Sequence, residues 1–226
     1  MLRVVLITIT HMELQTTLFS GKNNKPQKGE TVSEAVEKLR EDLRILEAMA
    51  DEMDEYLRSQ VLFWPLSRTN LPRLTIGGYL MRQHRLLELD SLLDESERAR
   101  RDRAIETFNK ALVEKVVRFE ERAHKEVHAR LRQWGEYLKE LHDQNLRVVD
   151  FYGAHVQTRA MIEALISRLK IPPYELDSRV LTQLETYDRV LRNYWQKGDF
   201  IWPDEWQPAY PKSYYWWLYG QPRGSQ

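Results

Sequence analysis

The chain contains no cysteine among its 226 residues. Disulfide bonds, thiolate metal ligands and cysteine nucleophiles are therefore excluded, and an intracellular, cytoplasmic protein is expected. Net charge is also absent, because 34 Lys and Arg residues balance 34 Asp and Glu residues. A protein that binds polyanions generally carries a basic excess, so this composition argues against nucleic acid as the partner.

Long apolar runs are missing as well. The longest, residues 4–9, is far shorter than the roughly 20 residues of a membrane-spanning helix. The sequence therefore predicts no membrane span, and no small-residue cleavage site follows the run, as a signal peptide would require. Its β-branched residues suit a short strand, while translation from Met12 instead of Met1 would omit it. Residues 1–29 are expected to form a short strand or a flexible segment, followed by a polar loop.

The 9 glycines form no glycine-rich nucleotide-binding motif. Gly21 and Lys22 match two positions of a phosphate-binding loop, but Asn23 follows where that loop requires Ser or Thr. No serine lies in the strand-to-helix context of a hydrolase nucleophile. The sequence thus indicates no catalytic residues and no organic cofactor.

Apolar residues at helical spacing are abundant. Thr31 and Glu34 form the pattern of a capping box, and the apolar residues that follow alternate steps of four and three, the heptad pattern of a coiled coil. This predicts a helix that ends near Trp64, because Pro65 follows. The stripe consists of Val36, Leu39, Leu43, Leu46, Ala50, Met53 and Leu57.

A second capping-box pattern, residues 94–97, precedes the longest apolar stripe. The members of this stripe extend from Ile105 to Leu141 at about 3.6 residues per step, the period of a straight helix. We therefore expect one very long helix over residues 96–144, about 70 Å in length. Gly135 is a place where this helix could bend, and whether it ends at Asn145 is left open.

Shorter helices complete the pattern: one over residues 75–89, one that ends before Pro172 and Pro173, and a last one that closes at Lys197 and Gly198. The sequence thus predicts an all-α fold, an elongated antiparallel helical bundle over residues 30–197. Because the longest helix exceeds its neighbours, it leaves apolar surface that a second subunit would cover.

Residues 198–226 combine large aromatic side chains with four prolines. Proline prevents a continuous helix or a central strand, and rings of this size are rarely left in water, so we expect an extended strap on an apolar surface. That surface is the chain's own bundle, a partner subunit, or nucleic-acid bases, although base stacking normally accompanies a basic groove. The candidate partner-binding residues are Trp202, Trp206, Tyr214, Tyr215, Trp216, Trp217 and Tyr219.

Glu121, His124 and His128 are the candidate metal ligands. Glu-x-x-His is the spacing of di-iron carboxylate bundles, which repeat the motif on a second helix; this chain does not repeat it. The three residues also lie at the flank of the apolar stripe rather than at its centre. A transition-metal site therefore competes with an interpretation as a solvated helix face or a histidine pair at a subunit contact.

Arg122 and His128 also match the loose Arg-x(4–6)-His pattern of one class of helical ribonucleases. Such pairs arise readily in an arginine-rich helix, and the pattern usually lies near a helix start. A helical RNA-processing protein is therefore the lesser alternative.

Together these patterns favour a non-enzymatic helical module with a structural or protein–protein interaction role, which self-associates or binds another protein subunit. The main alternative is a metal-dependent enzyme of the helical-bundle type that uses Glu121, His124 and His128. Metal analysis of protein purified without an affinity tag distinguishes these two classes, because only the second predicts stoichiometric metal.

We predict that the chain is not a monomer at micromolar concentration, because the heptad stripe and the unmatched length of the longest helix both leave apolar surface to cover. Light scattering over a dilution series measures the mass in solution. A constant mass of 27.1 kDa, that of one chain, across the series would contradict the prediction.

Overall fold

The computed structural model describes residues 28–143 and 151–223. Helices dominate this part of the chain, which confirms the predicted all-α class. Its only regular strands are two three-residue segments, and none of its helices is long and apolar enough to cross a membrane. The elements are α1 (Lys28–Asp51), α2 (Met53–Arg58), α3 (Ile76–Glu88), α4 (Glu95–Val113), α5 (Val116–His142), α6 (Tyr152–Leu169), α7 (Ser178–Tyr194), β1 (Trp195–Lys197) and β2 (Gly220–Pro222).

The packing order of the helices differs from their order in the chain. α4 lies along α1, and α5 lies against both α6 and α7. α3 is central, since it contacts α1, α5 and α6 as well as the C-terminal tail. One continuous apolar core joins these helices. The elongated antiparallel arrangement expected from the sequence is not established by these contacts and stays a prediction.

The heptad stripe is divided between α1 and α2 and is mostly buried inside the chain's own core, from Leu39 to Leu57. It therefore gives no support for a coiled coil between chains. The predicted bounds were wrong at both ends. α1 begins at Lys28, before Thr31, and α2 ends at Arg58 rather than near Trp64.

The chain leaves the helix after Arg58 because the next carbonyl groups find partners elsewhere. Arg122 of α5 donates to the carbonyl oxygens of Ser59 and Val61, the latter at 2.7 Å. Trp64 then pairs with Leu74 in an isolated antiparallel bridge. Helical spacing could not reveal these contacts, since they join segments distant in the sequence.

The prediction of one very long helix over residues 96–144 was wrong. The helix is interrupted at Glu114 and Lys115, where Lys115 has φ −135° and ψ 31°. Two causes are visible: α4 must follow α1 while α5 must follow α6, and the Lys115 ammonium pairs with Asp54 of α2. The β-branched Val113 and Val116 flanking the break also lower the local helix propensity. The unmatched helix length therefore no longer supports self-association.

Two predicted helix starts are confirmed. The Thr75 hydroxyl accepts a hydrogen bond from the Gly78 amide at 3.0 Å at the start of α3. Asp94 and Glu97 form both hydrogen bonds of a capping box at the start of α4, each at 2.9 Å. These caps are local in sequence, which is why spacing alone predicted them.

Gly135 lies inside α5 and does not divide it. Its role is close contact: a methyl group on Gly135 would stand 2.8 Å from Cζ of Tyr187 on α7. The absence of a side chain therefore lets α7 approach α5 at this point.

The last helix ends at Tyr194, earlier than the predicted stop at Lys197 and Gly198. Residues 195–197 instead pair antiparallel with residues 220–222, so the tail returns to the point where it began. Gly220 makes this return possible. Its φ of +149° suits glycine alone, and a side chain there would meet the Gln196 carbonyl oxygen.

The tail between these strands lies on the chain's own helices, which is one of the three surfaces that the sequence suggested for the strap. The Trp206 indole nitrogen donates to the Ala35 carbonyl of α1 at 3.3 Å, and the Tyr152 hydroxyl of α6 donates to the Trp217 carbonyl at 2.7 Å. Trp217 has no exposed surface. The predicted strap is thus an ordered part of the fold over residues 198–223, built from two short 3₁₀ turns, irregular backbone and the strand β2.

We expect Trp217→Ala to lower the free energy of unfolding by about 3–5 kcal/mol, because it leaves a large void in the core. The adjacent Trp216 is a matched control. It is only half-buried, packs edge-on against Trp195 and stacks on Arg192, 3.9 Å from the guanidinium carbon, so Trp216→Ala should cost less, about 1–2 kcal/mol. Denaturant unfolding of both variants measures the difference. An equal decrease in the free energy of unfolding for the two variants would show that the tail is not anchored through Trp217.

Candidate functional site

An apolar cavity of about 240 Å³ lies between α3, α4, α6 and the tail. Its walls come from segments far apart in the sequence, so only the folded chain assembles it. Most of the wall is hydrocarbon or aromatic, a composition typical of binding sites. The apolar part of the wall includes Leu80, Leu87, Phe108, Ala160, Ala164 and Ile171.

The cavity exists because α6 presents small side chains where α3 and α4 present large ones. Ala160 and Ala164 are four residues apart and therefore lie on the same face of α6. Opposite them, Phe108 of α4 is fixed by stacking on Tyr79 of α3, with ring centres 4.1 Å apart. Two alanines cannot fill the space that this rigid pair leaves.

Apolar side chains extend from the cavity onto the surface. Leu87 is 43% exposed, Ile171 51% and Val113 77%. Leu87 and Val113 also line a shallow depression along α4, together with the half-buried Ile105. We call the cavity and these four rim residues the apolar groove. Asp102, Glu106, Asn109 and Lys110 also line the depression, so its apolar side chains are bordered by polar ones. Exposed apolar side chains grouped in this way mark interaction sites more often than scattered ones do.

Two polar atoms in the cavity wall are buried without a hydrogen-bond partner among the described residues: Nε of Arg168 and Oε1 of Gln83. The Arg168 guanidinium lies over the rings of Phe119 and Tyr174, at 5.9 and 5.3 Å from their centres. Arg168 forms no ion pair with a carboxylate among the described residues, and the neighbouring Glu163 on the same helix is bound to Arg159. Within the part of the chain that the structure describes, the cavity therefore has one unpaired cation in a wall that is mostly apolar but also includes Gln83, His84, Asn109 and Ser167.

His84 and Tyr215 are the titratable groups beside these atoms. Nε2 of His84 lies 2.8 Å from the Ala209 carbonyl oxygen, which can only accept, so Nε2 carries the proton and donates. Burial raises the pKa of the Tyr215 hydroxyl above its ordinary value, with Glu163 adding to the effect. Tyr215 is thus neutral near pH 7. Among the residues that the structure describes, no carboxylate lines the cavity.

The predicted partner-binding residues of the tail are spread over environments of very different exposure. Trp206, Trp217 and Tyr219 are buried in the chain's own fold, and Tyr214 is 52% exposed, with its hydroxyl donating to Glu163. Trp202, Tyr215 and Trp216 are half-buried. Of these seven, only Tyr215 lines the apolar cavity. Their role toward a partner stays a prediction.

Trp202 and Trp206 face a cation that the chain itself supplies. The Arg85 guanidinium carbon lies 4.7 Å from the ring centre of Trp202 and 4.1 Å from that of Trp206. Arg85 also binds the Asp42 carboxylate of α1. The ring faces turned toward Arg85 are therefore occupied by an internal contact.

The candidate metal ligands are drawn to separate partners. Nε2 of His124 lies 2.8 Å from the Glu175 carbonyl oxygen and donates a hydrogen bond to it, so this nitrogen carries a proton and only Nδ1 is left as a metal donor. Nε2 of His128 lies 3.9 Å from Asp177, and Glu121 is exposed. Within residues 28–143 and 151–223, no group of three or more His, Asp or Glu side chains is placed to hold a metal ion.

The Arg122–His128 pair is also divided. Arg122 is buried, bonded to the loop after α2, and stacked 4.5 Å from the Tyr56 ring centre. These contacts indicate a structural role for Arg122, which holds the loop that follows α2. His128 is half-buried beside Asp177 and has no contact with Arg122 among the described hydrogen bonds.

Sequence reasoning missed the apolar groove. Its α6 residues were interpreted only as helix interior, and Ile171 only as the residue before Pro172 and Pro173. The repeat of Ala160 and Ala164 was the one available signal, because small residues at that spacing leave room on a helix face. Comparison with protein-family models, with curated proteins and with solved structures gives no match.

Proposed function

We propose that this protein is a non-enzymatic helical interaction module that binds a protein partner through the apolar groove. The observation that carries the proposal is the continuity between the exposed side chains of Leu87, Val113 and Ile171 and the cavity beside them. A cavity next to an exposed apolar rim is the form in which protein interfaces receive an anchoring side chain.

The lining of the cavity favours binding over catalysis. It contains no carboxylate or lysine, and the proton-bearing nitrogen of its one histidine, His84, is already bonded to the tail backbone. General acid–base catalysis needs such groups within reach of a substrate. The cavity offers shape, apolar contact and one cation instead.

A second copy of the chain is one class of partner. Val113 and Val117 are both more than half exposed, on either side of the break between α4 and α5, and Val113 belongs to the groove rim. Two copies could cover these residues through a symmetric contact. Self-association is therefore a specific form of the proposal, and a different protein subunit is the other.

A photocrosslinking amino acid at Leu87, in the full chain expressed in its own cells, tests the proposal. We expect a discrete crosslinked adduct from Leu87 and none from the matched control at Arg189, an exposed position on α7. An adduct at twice the chain mass of 27.1 kDa identifies self-association, and any other discrete mass identifies a different partner.

Two results would contradict this proposal. One is the absence of a discrete adduct from Leu87 although the variant folds with the helical content of the unmodified chain. The other is the same set of adducts from Leu87 and from Arg189, which would indicate collisions rather than a site.

A further inference from the structure

Arg168 differs from the other buried or half-buried arginines near the core. Arg85 binds Asp42, Arg130 binds Glu126 at 2.6 Å, and Arg159 binds both Glu163 and Asp188. Arg122 binds no carboxylate among the described residues and instead donates hydrogen bonds to two carbonyl oxygens.

Arg168 has neither kind of partner among the described residues. Its guanidinium lies over the rings of Phe119 and Tyr174, and the side chain is half-buried. No anion among the described residues balances its charge. A carboxylate brought by a ligand would supply that anion through a charge-assisted hydrogen bond, so the charge at this end of the groove favours an anionic ligand.

The volume of the cavity limits what else the ligand brings. An apolar cavity of 150 Å³ is enough for benzene, whereas sites for drug-sized molecules begin at about 300 Å³. At about 240 Å³, this cavity holds one ring-sized or branched apolar group and little more. It is the size of an anchoring side chain rather than of a complete metabolite.

From these two features, and resting on the proposed function, we infer that the cavity binds a partner peptide through a bulky apolar residue next to a carboxylate. The apolar side chain fills the space between Ala160, Ala164 and Phe108, and Arg168 binds the carboxylate. Leu87 and Ile171, which line the cavity and are also exposed, add the apolar contact that a protein segment makes beside its anchor. The occupant is thus an acidic-apolar segment of a protein, not an unspecified apolar surface.

The probes are two acetylated and amidated tetrapeptides, Gly-Phe-Asp-Gly and Gly-Phe-Asn-Gly, which differ only in a carboxylate against an amide. Binding to the full chain is followed by the NMR shifts of alanine methyl groups. We expect both peptides to shift the methyl signals of Ala160 and Ala164, and the Asp peptide to bind about tenfold more tightly, as expected of a charge-assisted pair.

Arg168→Gln should abolish the preference for the Asp peptide while leaving the methyl shifts in place. Lys170→Gln is the matched control, because it removes an exposed cation two residues away and should keep the preference. Ala164→Trp, which fills the cavity, should abolish binding of both peptides. Thermal unfolding of each variant checks that it is folded.

The inference is overturned by equal affinity of the two peptides for the unmodified chain. It is overturned equally by a preference that survives Arg168→Gln, or by the absence of binding of either peptide at millimolar concentration. These failures are distinct from failure of the proposed function. A discrete adduct from Leu87 without charge preference would retain the interface and reject this anchor.

Discussion

The contact between Asp42 of α1 and Arg85 of α3 is the interaction on which the C-terminal tail, and with it the groove, depends. Burial alone lowers the pKa of the Arg85 guanidinium, but Asp42 and Tyr210 outweigh that effect and the net pKa is raised. Arg85 therefore remains a cation inside the protein. Asp42 also pairs with Arg82 at 3.1 Å, so one carboxylate serves two buried cations. Groups of this kind fix geometry more than they add net stability.

The tail forms around this cation. Trp202 and Trp206 pack on the guanidinium, and its Nε donates to the Tyr210 hydroxyl at 3.1 Å. Cation–aromatic contacts shielded from water are stronger than exposed ones. Tyr210 and, five residues later, Tyr215 then close one side of the apolar cavity. A charge placed by α1 and α3 thus shapes a site that neither helix forms alone.

The features that could be predicted from the sequence are those that depend on contacts between residues close together in the chain. The hydroxyl of Thr75 and the carboxylates of Asp94 and Glu97 act within one turn of chain, so helix starts were predictable there. The break at Glu114 and Lys115 was not, because it comes from the need of α4 and α5 to follow different helices. Helical spacing continues in phase across that break and therefore hides it.

The site was less predictable than the fold for the same reason. Glu121, His124 and His128 drew attention because they are close in sequence, yet two of them are engaged by the loop near Glu175 and Asp177. The cavity instead joins α3, α4, α6 and the tail, and two of its polar residues, Gln83 and Arg168, belong to ordinary helix patterns. Each has a buried atom without a hydrogen-bond partner among the described residues, which no local spacing encodes.

Hydrogen–deuterium exchange of the Arg85→Met variant tests most directly whether the buried Arg85 cation holds the tail in place. Methionine preserves apolar volume, and Asp42 keeps Arg82 as its partner, so the substitution removes mainly the contacts of Arg85 with the tail. We expect faster exchange of amides in residues 198–223, with protection retained in the core of α5. Unchanged protection of the tail in a folded Arg85→Met variant would contradict the claim that this buried cation holds the tail in place.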